Sequence, residues 1–145
     1  MVPAQLNVVT LGAHDVDRLR EFYRGLGWPL AFEAEDFAAF RLRGAVLSLF
    51  SYEKLAADGR AEAAAPQPGM RGFSLAIVVD RPEQVDEAIE AVRKAGGRIT
   101  KEPADAAEFE GRHAYFADPE DNFWEIVGFA GEGGAVLQAV RDATG

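Results

Sequence analysis

The stretch HAYFADPEDNFWEIVGF, His113 to Phe129, alternates, turns once and alternates back. Successive side chains of a strand point to opposite faces. On the way in, His113, Tyr115 and Ala117 therefore share one face, while Ala114 and Phe116 share the other. On the way out, Phe123, Glu125 and Val127 oppose Trp124 and Ile126. Between them, Asp118-Pro119-Glu120-Asp121-Asn122 has turn chemistry: proline presets φ, and Asp and Asn tolerate left-handed backbone. A hairpin closing around Glu120 sets Tyr115 opposite Glu125. One face then carries an imidazole, a phenol and a carboxylate, and the other is apolar. A carboxylate between Trp124 and Ile126 is costly to bury unless its face is a polar cavity. A one-sided sheet with Glu125 in solvent satisfies the same pattern, so both readings stay open at this level.

Length and composition bound the rest. With 145 residues, 48% of them hydrophobic, the chain is expected to form one compact unit with a substantial core. It has no cysteine, so no disulfide, thiolate metal site or thiol nucleophile is available. No apolar run approaches the length of a membrane span. Met1–Leu6 lacks the charged and apolar parts of a signal peptide, so the expected location is the cytoplasm. A formal charge of −9 argues against nucleic acid or an anionic membrane as partner.

From the N-terminus, Leu6–Gly12 is β-branched and apolar, a buried strand. Val16–Leu26 carries Val16, Leu19, Phe22, Tyr23 and Leu26 at helical spacing, with Asp15 placed to cap it and Gly25 or Gly27 to end it. Short strands follow at about Pro29–Ala34, Phe37–Arg43 and Ala45–Phe50, then one or two helical turns over Tyr52–Asp58. Gly59–Gly69, rich in Ala and Pro, reads as a linker. The order then begins again. Phe73–Val79 is a buried strand, Pro82–Ala95 a helix ended by Gly96-Gly97, and Arg98–Glu102 a strand. Pro103–Gly111 is expected to loop before the hairpin, and Gly131–Gly145 to be a weakly ordered tail in which Ala135–Arg141 can form a helix. A duplicated unit of this kind is itself a fold signal. Each half has one helix on one side of its sheet, which leaves a face free for a ligand.

Two stretches go beyond periodicity. Leu11–Trp28 (LGAHDVDRLREFYRGLGW) and Tyr115–Ile126 (YFADPEDNFWEI) closely resemble the glyoxalase / bleomycin-resistance / extradiol-dioxygenase superfamily, the vicinal oxygen chelate fold. Together with the internal repeat, the resemblance covers nearly all of Leu6–Phe129. It implies an α+β fold of two tandem βαβββ modules forming a cupped mixed sheet, with helices on the outer face. The implied layout is a single glyoxalase-like domain over 1–145: module 1 at 5–58, linker 59–71, module 2 at 72–130 and tail 131–145. Folds of this kind carry unrelated activities, so function must come from the site.

Enzymes of the superfamily hold a divalent metal with His, Glu or Gln side chains from four strands. Carried over by position, the four slots are Val8, Ser48, Phe73 and Glu125. Only Glu125 ligates strongly, Ser48 is a poor neutral donor, and Val8 and Phe73 have no donor atoms. The expectation is no metal and no other cofactor, unless His113 joins Glu125 in a relocated site.

Glu125, His113 and Tyr115 are the candidate catalytic residues, a histidine beside a carboxylate being able to act as acid or base near neutral pH. With Val8, Ser48, Phe50, Phe73 and Arg41 they are also the candidate ligand-binding residues. Arg41 would turn away from Phe40 and Leu42, where a guanidinium can hold a carboxylate or phosphate, although an edge-strand arginine in solvent is the commoner case. His14 reads as a surface loop residue, and Phe22, Tyr23, Trp28 and Trp124 as core. A largely apolar cup suits a small hydrophobic or aromatic molecule with few polar anchors. By resemblance to the drug-sequestering members, the expected function is metal-free binding by a homodimer, with an acidic surface compatible with cationic ligands. The alternatives are a lyase, isomerase or dioxygenase of the superfamily, acting through a relocated metal or through Glu125 and His113, and a module with a vestigial cup.

Overall fold

A computed structural model describes residues 1–131 and 134–145. Within the tail, Glu132 and Gly133 lie outside the described residues. The chain divides into two compact units, Met1–Gln67 and Pro68–Gly145.

The first unit runs β1 (Val8–Ala13), α1 (Val16–Gly25), β2 (Leu30–Ala34), β3 (Phe37–Arg41), β4 (Val46–Ser51) and α2 (Tyr52–Asp58). Its sheet has the order β1-β4-β3-β2, parallel between β1 and β4 and antiparallel elsewhere. Asp15 caps α1 by accepting from the Arg18 amide at 3.0 Å, and Gly27, at φ +84°, takes the chain out of the helix. The apolar stripe of α1, Val16, Leu19, Phe22 and Tyr23, is buried with Leu11, Phe40, Leu47 and Leu49 of the strands. Burying each such side chain is worth about 1.5–3 kcal/mol, which is what holds the helix to one face of the sheet.

The second unit repeats the plan: β5 (Leu75–Val79), α3 (Gln84–Lys94), β6 (Arg98–Asp105), β7 (Gly111–Ala117), β8 (Phe123–Phe129), then α4 (Gly134–Thr144). Its order, β5-β8-β7-β6, with β5 and β8 parallel, is that of the first sheet. Val85, Ile89 and Val92 of α3 are buried with Ala114, Phe116, Trp124 and Ile126. Phe116 and Trp124 stack with parallel rings. Arg112 ties β7 to the first turn of α3 by two hydrogen bonds to Asp86, at 2.6 and 2.9 Å, which hold that carboxyl below the usual range. The architecture is thus α+β, two tandem βαβββ modules each with a four-stranded mixed sheet.

Most boundaries shift by one or two residues from the sequence reading, and three differences are structural. The strand opening the second module starts at Leu75, because Gly72 at φ +86° keeps Phe73 out of the ladder. The last strand before the hairpin continues through Pro103 to Asp105. Proline is tolerated there because β6 is an edge strand, with a free side that needs no donor. The tail helix is longer than its apolar pattern suggests, with Leu137 buried.

The hairpin turn is closed by a buried carboxylate. Asp118 accepts from the amides of Glu120 and Asn122, both at 2.9 Å, and from the Asn122 side chain. Asp121 sits at φ +59°, which an Asp tolerates. Burial pushes the Asp121 carboxyl up, but the Arg98 guanidinium at 2.7 Å, the Gly69 amide at 3.0 Å and the Arg71 charge outweigh it, so its pKa lies below normal. A carboxyl depressed in the folded state adds stability that is complete above its unfolded value of about 3.9. That stability is lost as pH falls through the lower folded value. Wild type is therefore expected to lose more stability than Asp121→Asn on acidification below about pH 4, by up to about 1 kcal/mol for a partly exposed pair. Urea denaturation at a series of pH values checks this, and parallel curves for the two proteins would show that the Arg98 pair adds nothing.

Candidate functional site

The face of the second sheet opposite its Phe116–Trp124 core carries a row of polar groups. The β7–β8 register pairs Tyr115 with Glu125 and His113 with Val127, and β5 adds Ala76 beside Glu125. His113 Nδ1 lies 2.7 Å from Glu125 Oε2, with both side chains largely buried, at 12% and 19% exposure. Burial raises the pKa of the Tyr115 phenol, and the Glu125 charge and a hydrogen bond to that carboxylate raise it further. Glu125 thus accepts from an imidazole and a phenol. Such satisfaction is what permits a carboxylate on a buried strand. Of the two readings that alternation left open, the structure shows the partnered one.

A third group completes the row. Lys101 Nζ lies 2.8 Å from His113 Nε2. An ammonium can only donate, so Nε2 is the acceptor and the ring proton sits on Nδ1, where it donates to Glu125. The result is a chain of cation, neutral imidazole and anion. Aromatic rings adjoin it: Phe109 meets His113 edge to face at 5.5 Å, and Tyr115 does so at 5.6 Å.

Lys101 was not among the residues the sequence singled out, and the reason is geometric. Strict alternation puts it on the face of Ile99, which pairs with buried Phe116 on the helix side. A bulge between Ile99 and Lys101 inserts one residue, and Lys101 instead pairs with Tyr115. The first module does the same. Leu30 pairs with buried Phe40, a register shift follows, and Phe32 crosses to the other face, where it is 58% exposed. There it joins Phe37 and Phe50 in a line of ring contacts at 6.1 and 5.8 Å.

The remaining sequence candidates are placed as follows. In the first unit, Val8 is half-exposed, and Ser48 is buried and shares a 2.6 Å hydrogen bond with Thr10 on the adjacent strand. Phe50 lies in the aromatic line, and Arg41 ends β3, exposed and without a salt bridge among the described residues. In the second unit, His113, Tyr115 and Glu125 come together, but Phe73 does not join them on the ladder. It precedes β5, is 46% exposed, and the β5 residue beside Glu125 is Ala76. The expectation that Phe73 lines the sheet beside Glu125 is corrected accordingly. His14, read as a plain surface residue, stacks on Tyr52 at 4.5 Å.

The donor set does not suit a divalent metal. In the second unit Ala76, beside Glu125, offers no donor atom, and Glu125 is engaged by His113. Among the described residues no three His, Asp or Glu side chains come together to hold an ion. A catalytic zinc needs about three protein ligands, and harder ions need several oxygens.

Two βαβββ modules, each with a four-stranded mixed sheet, define a class of small α+β proteins. The match to the family of that class spans residues 5–126, and the chain belongs to the Glyoxalase/Bleomycin resistance protein/Dioxygenase superfamily. Among solved structures it is similar to a glyoxalase/bleomycin resistance protein/dioxygenase from Nocardioides. The two share 28% identity over 93% of this chain and 91% of that one, with a TM-score of 0.78. A glyoxalase-related enzyme from Fulvimarina pelagi is similar at 27% identity over 92% and 96% of the two chains, with a TM-score of 0.77. The fold is also shared with a lactoylglutathione lyase from Agrobacterium tumefaciens, at 23% identity over 87% and 94%, with a TM-score of 0.65. No curated protein matches the sequence. No helix among the described residues is long and apolar enough to cross a membrane.

The hydrogen-bond polarity of the row is directly measurable. Long-range ¹H–¹⁵N spectra at pH 8 are expected to show His113 with its proton on Nδ1 and a lone pair on Nε2. The opposite tautomer would mean that the Lys101 and Glu125 contacts have been assigned the wrong direction.

Proposed function

We propose that the protein binds a small hydrophobic or aromatic molecule without a metal, using the His113–Tyr115–Glu125 face as its polar anchor. The observation that carries this reading is the closed His113–Glu125 pair, set among rings on the sheet face opposite the Phe116–Trp124 core. In this arrangement Glu125 serves as a positioning residue: it fixes the imidazole tautomer and turns the Tyr115 hydroxyl. The ligand then meets His113, Tyr115 and the aromatic surround. The same reading makes the protein a cytoplasmic homodimer, as paired modules of this superfamily commonly complete their surface with a second copy.

A second reading is acid–base catalysis of the lyase or isomerase kind. It is favoured by one specific observation, that Glu125 holds Nδ1–H and so leaves Nε2 as the basic nitrogen. Lys101 already occupies that nitrogen, which favours binding over proton transfer.

Glutamine at 125 keeps the shape but offers one acceptor oxygen in place of two and removes the charge. The unliganded Glu125→Gln protein is expected to melt close to wild type, because losing a buried charge offsets the lost pairing. A compound that stabilises wild type by about 2.7 kcal/mol at a hundredfold excess over its Kd is expected to lose most of that effect. A thermal-shift screen of small aromatic compounds on both proteins tests this. Equal shifts in the two would remove Glu125 from the site, and no shift in either would remove the binding reading.

For the metal, elemental analysis of the purified protein is expected to find no stoichiometric Zn, Ni, Fe or Mn. About one equivalent per chain, lost in Glu125→Gln, would restore the metal-dependent alternative.

A further inference from the structure

We infer that the ligand of this face is an anion, a small aromatic carboxylate whose carboxyl group is held by Lys101. The inference rests on the binding reading above and adds the charge class of the ligand. Its basis is an imbalance of partners. Arginines on α3, β6 and β7 are committed to carboxylates: Arg93 to Glu102, Arg98 to Asp121 and Arg112 to Asp86. Among the described residues Lys101 makes no ion pair, although acidic side chains outnumber basic ones by 24 to 15 in the chain. Its neighbour Glu102 points away and pairs with Arg93 on α3.

What Lys101 meets instead is the neutral nitrogen of His113. That contact uses one of its three donors and places no carboxylate against its charge. The nearest carboxylate in the row, Glu125, is already closed by His113 and Tyr115. The unspent donors of the face are therefore those of the Lys101 ammonium, at its exposed edge next to rings. A flat molecule laid against Tyr115 and His113 brings a terminal carboxylate to the Lys101 ammonium. A cationic ligand would meet that ammonium first. This runs against the chain's net charge of −9, which by itself suits cations. The bulge at Ile99/Lys101 is what brings a local charge of the opposite sign to this face. Over contact distances that local charge decides, because surface charges beyond about 8–10 Å are screened by salt.

Three probes of one shape separate charge from shape: 1-naphthoate, 1-naphthamide and 1-naphthylmethylammonium. Each is titrated into the full chain while the His113 imidazole resonances are followed by NMR. Naphthoate is expected to shift those resonances and to bind about tenfold tighter than naphthamide, the scale of one charge-assisted hydrogen bond. Lys101→Gln is expected to erase that preference while leaving naphthamide affinity within about twofold, and Lys101→Arg to restore most of it. If naphthoate and naphthamide bind equally, or the ammonium binds tightest, with all of them shifting His113, the anion inference is overturned and the binding reading stands. If no probe shifts His113 at any concentration, both are overturned.

Discussion

The register of the β7–β8 hairpin is the constraint on which the candidate site depends. Side-chain period in a strand is two, so a slip of one residue would send His113, Tyr115 and Glu125 to the helix side. It would also bring Phe116, Trp124 and Ile126 to the open face. Asp118 prevents the slip. Its buried carboxylate gathers the Glu120 and Asn122 amides and the Asn122 side chain, fixing the turn so that Tyr115 faces Glu125. The apolar face reinforces the same register, because Phe116 and Trp124 fill the space under α3 only in this pairing.

With that register in place, the energetics of the polar row are those of a satisfied network. A carboxylate on a central strand is unfavourable alone, and an imidazole and a phenol on the next strand supply the donors it requires. The cost is a loss of rotational freedom for three side chains. The return is a histidine whose tautomer is fixed and whose second nitrogen faces a lysine. Such preorganisation is what a binding face needs, since groups already held do not have to be ordered by the ligand.

Duplication explains why the device appears twice in form but once in chemistry. Both modules place a bulge on the edge strand after a residue that pairs with a buried phenylalanine, Phe40 in one and Phe116 in the other. In the first module the residue carried to the open face is Phe32, which extends a line of aromatic rings. In the second it is Lys101, which joins a polar row. Edge strands accept such insertions because one side of their ladder is free. The same backbone solution thus presents an apolar surface in one unit and a charged one in the other.

Much of this was legible in the residues alone. The helical spacing of Val16, Leu19, Phe22 and Tyr23, the repeat of strand–helix–three strands, and the turn at Asp118–Asn122 determined the fold. Parity in HAYFADPEDNFWEIVGF placed His113, Tyr115 and Glu125 on one face, because alternation is a local property of an extended chain. Neither the fate of the carboxylate nor the position of Lys101 is local. Whether Glu125 meets solvent or donors depends on a neighbouring strand. The face that Lys101 occupies depends on a bulge that no residue in Arg98–Glu102 announces, since an inserted residue becomes visible only against its pairing partner. Phe73 shows the same limit in reverse: its apolar, strand-like context is overridden by the left-handed backbone at Gly72. Sequence determines which side chains share a strand face, and the tertiary ladder decides which of those faces meet.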